Sequence, residues 1–205
     1  LYINNANGNF ALDSAALPEN HASKLCVRAF DYNNDGKNDL FVSGRVDPGH
    51  YPKPASSFIL RNDSRDGRAK FTDVTAGVAP GLKDIDLVCD ALFTDFDNDG
   101  LTDLIVVGEW MPVTFFKNEN GKLRNITAAT GVQNKPGWWS SIVAGDFRNT
   151  GRTDYIVGNA GLNTLYRASD EYPVYITAGD FANSGGYLAI PSLYLPDKNG
   201  EMKEF

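Results

Sequence analysis

Short apolar runs separated by Gly, Asn and Asp turns extend along the whole chain. The runs are four to seven residues long and rich in β-branched and aromatic side chains, and the clearest lie at residues 40–44, 58–62, 71–75, 104–108, 115–118, 123–127, 140–144 and 155–158. No segment of useful length carries the 3.6-residue period of an amphipathic helix. The pattern therefore predicts an all-β protein built from short strands.

These runs recur in the same order around an acidic nine-residue segment. The sequence DYNNDGKND at residues 31–39 returns as DFDNDGLTD at residues 95–103 and, altered, as DFRNTGRTD at residues 146–154. A fourth and weaker copy, DFANSG, begins at Asp180. Because the flanking strands repeat together with the segment, the chain is a repeat protein with about four strands in each unit.

A four-stranded antiparallel unit cannot bury both of its faces alone and must stack on its neighbours, which is the arrangement of a β-propeller blade. The predicted fold is therefore an incomplete β-propeller with about three to four blades. It divides into the outer strands of a preceding blade, a first and a second unit with acidic loops, a third unit with an altered loop and a partial fourth unit, at residues 1–20, 21–80, 81–130, 131–170 and 171–205.

The two ends of the sequence admit other interpretations. Residues 1–5 resemble residues 58–62, and residues 9–13 resemble residues 70–74, which indicates two outer strands without their inner partners. Residues 1–13 and 197–205 could instead be tails, or the first strands could complete the last blade of a closed ring.

The first two acidic loops have the composition of calcium sites. In such a loop the first, third, fifth and ninth side chains and the seventh carbonyl converge on one point, and Gly at position six allows the turn. Hard oxygen donors without nearby His or Cys favour Ca²⁺ over zinc or copper, and a crowded carboxylate shell favours it over Mg²⁺. The expected ligands of the two calcium ions are Asp31, Asn33, Asp35, Lys37 and Asp39, and Asp95, Asp97, Asp99, Leu101 and Asp103.

Acidic loops of this kind have two alternatives to a propeller calcium site. An EF-hand requires Glu at position twelve, where these loops have Val42 and Val106, so that class is excluded. An acidic, solvated turn without a metal ion remains an open alternative.

The third and fourth loops lack the necessary oxygens. Arg148 and Thr150 replace two carboxylates of the second loop, and we expect the guanidinium of Arg148 or Arg152 to lie among Asp146 and Asp154 in place of a cation. The fourth loop retains only its first aspartate, because Ala182, Ser184 and Leu188 occupy its other ligand positions.

The overall charge excludes several classes of partner. The 205 residues contain 19 Lys and Arg against 26 Asp and Glu, a net charge of −7, which does not attract nucleic acid or anionic lipid. The longest uncharged stretch, residues 181–196, is interrupted by glycine and proline and is too short and too polar for a membrane span. Cys26 and Cys89 are expected to be buried thiols and not a disulfide.

Few residues suit catalysis. His21 and His50 lie in loops near proline and are expected at the surface, and Glu109, the one acid to watch outside the loops, is expected at a solvated strand end. Five aromatic residues could stack on sugar rings or pack between blades: Trp110, Trp138, Trp139, Tyr51 and Tyr155. The Pro-containing insertion at residues 45–57 is a further candidate for binding.

The acidic loops resemble those of FG-GAP, or VCBS, repeat proteins, which include integrin α-subunit heads. Residues 95–104, 137–147 and 158–163 are similar to the bacterial branch related to cartilage acidic protein, although no ASPIC/UnbV segment is visible. The resemblance implies calcium-bearing blades, often seven in a ring, in secreted, cell-surface or outer-membrane-associated proteins.

These patterns and the resemblance together predict an extracellular, calcium-binding propeller module for adhesion or ligand binding, with a glycan or protein ligand at the cell surface, that is not an enzyme. The alternative is the propeller domain of a polysaccharide lyase or another glycan-active enzyme, which would require convergent acidic and basic residues at the propeller mouth.

Overall fold

A computed structural model describes residues 1–161 and 164–205. Within these residues the chain forms short strands in antiparallel sheets and two single-turn helices, α1 (Thr75–Val78) and α2 (Thr127–Thr130). The expectation of an all-β protein is therefore confirmed. The chain opens with a hairpin of β1 (Tyr2–Asn4) and β2 (Phe10–Leu12), where two strands were predicted. Their place as the outer strands of a preceding blade stays a prediction.

The first unit, residues 21–80, is a four-stranded sheet with consecutive neighbours. Its strands are β3 (Val27–Phe30), β4 (Asp39–Val42), β5 (Phe58–Asn62) and β6 (Phe71–Asp73). A 3-10 turn, Pro80–Leu82, follows α1 and leads to the next unit. The predicted order of strand, acidic loop and three further strands is therefore confirmed.

The second unit, residues 81–130, repeats this meander with longer inner strands. It consists of β7 (Leu87–Thr94), β8 (Asp103–Pro112), β9 (Thr114–Asn118) and β10 (Leu123–Asn125). Seven consecutive residues of β8, starting at Asp103, are buried, because neighbouring elements cover both faces of this strand.

The remaining units form hairpins. The third unit pairs β11 (Pro136–Gly145) with β12 (Asp154–Asn159), and the start of β11 also pairs with the end of β8. The fourth contains two separate hairpins, β13 (Tyr175–Gly179) with β14 (Leu188–Ser192), and β15 (Tyr194–Pro196) with β16 (Met202–Glu204). No closed ring is seen in the part of the chain that the structure describes, so the number of blades stays a prediction.

The hydrophobic core lies between the first and second units. Phe30 stacks on Phe93 with ring centroids 3.5 Å apart, and Phe41, Ile59 and Phe116 are completely buried. Burial of each such side chain contributes about 1.5–3 kcal/mol relative to an exposed one. This core forms where two sheets stack on each other, and a single unit of this kind could not form it alone.

The outer units are packed less fully. Val143, Ile156, Tyr175 and Ile190 are each more than half exposed. The third and fourth units therefore present apolar side chains that the first two units keep inside.

Two glycines at corresponding positions allow neighbouring backbones to approach closely. A Cβ atom at Gly44 would lie 2.1 Å from the carbonyl oxygen of Ser56, and one at Gly108 would lie 2.2 Å from that of Leu87. The backbone itself therefore requires glycine five residues after the ninth-position aspartate of both units.

The structure also bears on two expectations about composition. Cys26 and Cys89 are buried free thiols, as predicted, and burial raises the pKa of both. Over the described residues, the helices are too short and not apolar enough for any of them to traverse a bilayer.

Candidate metal centre

The four acidic loops share one hydrogen-bonding pattern. In the second loop the carboxylate of Asp95 accepts bonds from the backbone N–H groups of Asp99 at 3.1 Å and Gly100 at 2.9 Å. Asp31, Asp146 and Asp180 accept the corresponding pair of bonds in their own loops. The first aspartate therefore holds each turn in shape without the help of an ion. The weak fourth copy is a true structural repeat.

Two residues in every loop adopt left-handed backbone conformation. Position four is Asn in all four copies and position six is Gly, and the φ angles in the second loop are 60° at Asn98 and 87° at Gly100. Asn tolerates this region better than most residues, and Gly has no steric penalty there. The role of the glycine was predicted from the sequence. That of the asparagine was not, although its recurrence in four copies was the available signal.

The second loop gathers three carboxylates into a compact acidic cluster. One oxygen from each of Asp95, Asp97 and Asp99 lies within 4.8 Å of the others, and Asp97 and Asp99 are exposed. The ammonium group of Lys117 on β9 contacts Asp97 and lies 2.6 Å from Asp99 Oδ2. This contact lowers the pKa of Asp99 and raises that of Lys117. The cluster thus already attracts a cation, which is the behaviour required of a metal site.

The first loop has the same shape but one carboxylate fewer. Asn33 stands at position three, and its amide donates to Asp35 Oδ2 at 3.3 Å. Arg61 occupies the strand position that corresponds to Lys117, yet its guanidinium pairs with Asp63 at 2.8 Å and not with the loop. The first loop therefore offers two carboxylates and one amide oxygen to a cation, with less negative charge than the second.

The ninth-position aspartates have a structural role that the sequence did not reveal. Asp103 is completely buried, and its carboxylate accepts N–H bonds from Phe96 at 3.1 Å and Asn118 at 2.7 Å. Asp39 is equally buried and bonds to Tyr32 and Asn62 in the same way. Burial raises the pKa of both carboxyl groups.

Each of these aspartates therefore joins its loop to the third strand of its own sheet. Their direct contact with an ion, and that of the carbonyls of Lys37 and Leu101, stays a prediction.

The third loop contains the ion pair expected from its sequence. Arg148 Nε lies 3.0 Å from both carboxylate oxygens of Asp154, and Arg148 Nη2 lies 2.6 Å from Oδ1. The pair lowers the pKa of Asp154 and raises that of Arg148. The expected contact is confirmed for Arg148, which occupies position three, where the second loop has Asp97.

The chemistry of the donor set fits a hard divalent cation at the first two loops. All donor side chains are carboxylate or amide oxygens, and the loops are exposed to solvent at positions three to five. Oxygen donors in an exposed turn suit Ca²⁺, which tolerates six to eight ligands. Three carboxylates that lie this close also repel one another when no cation lies beside them.

Outside the loops, the expectation for Glu109 was wrong. Glu109 lies within β8, is 5% exposed and forms an ion pair with Arg45 at 2.5 Å. Its burial could not be predicted from the sequence, because its partner Arg45 belongs to the distant insertion at residues 45–57. No local pattern places that insertion beside β8. His21 is exposed beside Glu19, as expected of a surface loop.

The five aromatic candidates separate in the structure. Trp110 and Trp138 lie together with ring centroids 5.6 Å apart, and the hydroxyl of Tyr51 accepts a bond from Trp110 Nε1 at 2.8 Å. Tyr155 lies elsewhere and bonds to Thr94 at 2.9 Å. The Trp139 ring packs against the backbone of Gly137, and its Nε1 is buried.

Comparison with known proteins supports the repeat in the middle of the chain. Residues 95–157 match the family model described as FG-GAP-like repeat, from the first aspartate of the second loop into β12. A search of curated proteins finds no match. Leu162 and Asn163, at the end of the stretch 158–163 cited for the bacterial branch, lie outside the described residues. The chain therefore contains an FG-GAP-like repeat at residues 95–157.

Proposed function

We propose that this chain is a calcium-stiffened β-propeller module of the FG-GAP type that binds a glycan or protein at the cell surface without catalysing a reaction. One observation carries the proposal. The second loop brings carboxylate oxygens of Asp95, Asp97 and Asp99 within 4.8 Å of one another, inside the segment that matches the FG-GAP-like repeat.

Calcium would act here as a structural ion. The first loop would hold it through Asp31, Asn33 and Asp35, and the second through its three clustered aspartates, with the ninth-position aspartates and the two backbone carbonyls completing the shell. A bound divalent cation supplies positive charge that cancels the repulsion among the carboxylates. The third loop obtains its positive charge from Arg148, and the fourth has too few oxygens.

An extracellular location is consistent with this use of calcium. Extracellular modules operate with dissociation constants of about 0.1–1 mM, which exposed loops of modest charge can reach. We therefore place the chain among secreted or surface-associated proteins, with the bacterial branch related to cartilage acidic protein as its proposed relation and a larger, seven-bladed ring as its proposed context.

A binding role follows from the rigidity that the loops supply. Each loop joins the first and second strands of its unit, and its ninth residue is bonded to the third strand. Rigid sheets of this kind position connecting loops for ligand recognition. The ligand is proposed to be a glycan or a protein.

Thermal unfolding in calcium, in magnesium and in excess chelator tests the proposal. Calcium bound only by the native state should raise the melting temperature, and chelator should remove the increase. Asp99→Asn should reduce the calcium effect. Thr150→Asn, at the same position of the third loop, is the matched control and should leave it unchanged. A melting temperature identical in calcium and chelator would contradict the proposal.

A cleavage assay separates the binding module from the alternative enzyme. Incubation with uronate polymers should give no rise in the ultraviolet absorbance of an unsaturated product. A calcium-dependent rise in that absorbance would replace the proposal with a polysaccharide lyase.

A further inference from the structure

Three aromatic side chains form a continuous cluster at the end of the β7–β8 hairpin that lies away from the acidic loop. The register pairs Thr94 with Asp103 beside the loop and Leu87 with Glu109 at this far end. Trp138 lies 5.6 Å from Trp110 and 6.4 Å from Tyr166, measured between ring centroids. We call Trp110, Trp138 and Tyr166 the aromatic platform. Its residues come from β8, from β11 and from the segment after β12.

The platform is not part of the hydrophobic core. Its three residues are half-buried, whereas the core residues of the first two units are buried. Aromatic rings that only filled space between sheets would be expected to reach the exposure of Phe41 or Phe116, which are completely buried. Part of each platform residue therefore remains accessible.

Trp110 is held in an unfavourable backbone conformation. Its φ angle is 63°, and it is the extra residue of a bulge, because Trp138 pairs with Glu109 and Gly137 pairs with Met111. A bulky residue in this region is strained, and such strain concentrates at functional sites. Bulges also redirect a side chain out of the regular alternation of a strand. The bulge places the Trp110 ring beside Trp138.

A partly buried polar chain fixes the orientation of that ring. Arg45 Nη2 lies 2.5 Å from Glu109 Oε1, and the hydroxyl of Tyr51 donates to Glu109 Oε2 at 3.0 Å. The same hydroxyl accepts the bond from Trp110 Nε1. Because burial raises the pKa of Tyr51 to about 12, the hydroxyl keeps its proton over the physiological range. The insertion at residues 45–57 thus positions the platform through Tyr51.

Aromatic faces beside fixed polar groups suit carbohydrate. The ring face of a pyranose with equatorial substituents carries several C–H groups, which pack on an aromatic ring, while its hydroxyls bond at the edge. The Arg45–Glu109 pair leaves no net charge at the platform, and the net charge of −7 disfavours acidic polymers. The chemistry therefore favours a neutral sugar.

We propose that the aromatic platform binds a neutral glycan of pyranoses with largely equatorial substituents, with Trp138 as the central stacking residue and Tyr51 as a positioning residue. This inference rests on the proposed function as a surface binding module and names one class of ligand and one site for it. It does not depend on occupancy of the acidic loops by calcium.

Fluorescence titration of the calcium-loaded chain with cellohexaose, mannohexaose and chitohexaose tests the site. At least one should change the tryptophan emission saturably, and calorimetry should give the same dissociation constant. Trp138→Ala should weaken binding by about tenfold or more, as for a central contact residue. Trp138→Phe should retain most of the affinity. Tyr175→Ala removes an aromatic side chain that is 53% exposed on β13 and should have no effect.

A second variant tests the positioning role. Tyr51→Phe keeps the ring but removes the hydroxyl that joins Glu109 to Trp110. It should therefore weaken sugar binding several-fold and shift the tryptophan emission of the unliganded protein. Unchanged affinity and emission would overturn the role assigned to Tyr51.

Any of three outcomes would overturn the inference. These are the absence of binding to all three hexasaccharides, binding of oligouronates alone, and equal weakening of binding by Trp138→Ala and Tyr175→Ala. The melting experiment in calcium and chelator is run on the same preparation. A normal calcium effect without sugar binding rejects only the glycan site, whereas sugar binding without a calcium effect rejects only the calcium-stiffened module.

Discussion

At the scale of single residues, the buried ninth-position aspartates connect the loops to the sheets. Asp103 is completely buried and satisfies two backbone N–H groups, those of Phe96 and Asn118. A buried donor that loses its acceptor costs about 1–3 kcal/mol, and more when the acceptor is charged. If Asp103 also binds the calcium ion, one carboxylate serves both the metal site and the stability of the sheet.

Asp103→Ala should lower the free energy of unfolding by about 3–5 kcal/mol, because two buried donors lose their partner. Denaturant unfolding in excess chelator measures this loss without any contribution from calcium. Asp99→Asn, on the exposed side of the same loop, should change stability little under that condition. A loss that appears only in calcium would show that Asp103 acts as a ligand alone.

Asp86 is a second residue with a clear expectation, because burial raises its pKa to about 6. The native state therefore disfavours its ionised form, and the stabilising effect of the protonated form is lost as pH rises from about 4 to 6. Asp86→Asn should have little effect on stability near pH 4 and should stabilise by about 2 kcal/mol at pH 7.5. The φ angle of 119° makes Asn a suitable replacement.

Urea unfolding of the wild type and Asp86→Asn at both pH values measures the difference. Asp84→Asn is the control, since Asp84 is exposed and its carboxylate accepts a bond from Ser56 at 3.0 Å. Equal stability of the wild type and Asp86→Asn at pH 7.5 would contradict the raised pKa.

The sequence allowed some of these residue roles to be predicted and not others. The candidate ligands in the second loop follow from spacing, because a nine-residue turn is local. Glu109 was misplaced because its environment depends on Arg45, 64 residues away in the chain. Local patterns report local geometry, whereas burial of a polar side chain depends on which distant segment covers it.

At the scale of structural elements, the four loops show that backbone conformation and charge are separate properties. All four have the same hydrogen bonds at position one, and only the first two carry the acidic or amide side chains that a cation requires. In the third loop the Arg148–Asp154 pair provides positive charge from the chain itself. A loop of this shape should therefore acquire an ion when its side chains are changed.

The double variant Arg148→Asp/Thr150→Asp gives the third loop the same aspartates as the second. It should bind one additional calcium ion per chain, detected by calorimetry or by equilibrium dialysis. Arg148→Ser/Thr150→Ser disrupts the same ion pair without adding carboxylates and should leave the stoichiometry unchanged. An unchanged stoichiometry in the aspartate variant would contradict the view that the side chains alone prevent the third loop from binding calcium.

Strand positions were largely predictable because alternation and turn residues are local signals. The run at residues 58–62 coincides with β5, and the run at residues 123–127 ends two residues beyond β10 because α2 begins at Thr127. The bulge at Trp110 could not be predicted, since it depends on pairing between β8 and β11 of different units.

At the scale of the whole molecule, Asp90 connects three consecutive units. Its Oδ1 contacts Arg28 of the first unit, and its Oδ2 accepts the backbone N–H of Ile142 in the third unit at 3.2 Å. Arg28 Nε also donates to the carbonyl oxygen of Ala91 at 3.0 Å. The first strands of the three units are therefore joined by one carboxylate.

A double-mutant cycle with Arg28→Ala and Asp90→Asn measures this connection. The coupling should be about 1 kcal/mol or slightly more, because Asp90 is mostly buried while Arg28 is partly exposed. Arg124→Ala with Glu119→Gln, an exposed pair within a single hairpin, serves as the comparison and should couple more weakly. Additive effects of Arg28→Ala and Asp90→Asn would contradict a link between units.

The central claim is that the first two loops bind calcium and the last two do not. Calorimetric titration of Ca²⁺ into the metal-free chain tests it most directly. We predict two ions per chain for the wild type and one for Asp97→Asn/Asp99→Asn. No heat of binding, or a stoichiometry of four, would contradict the claim.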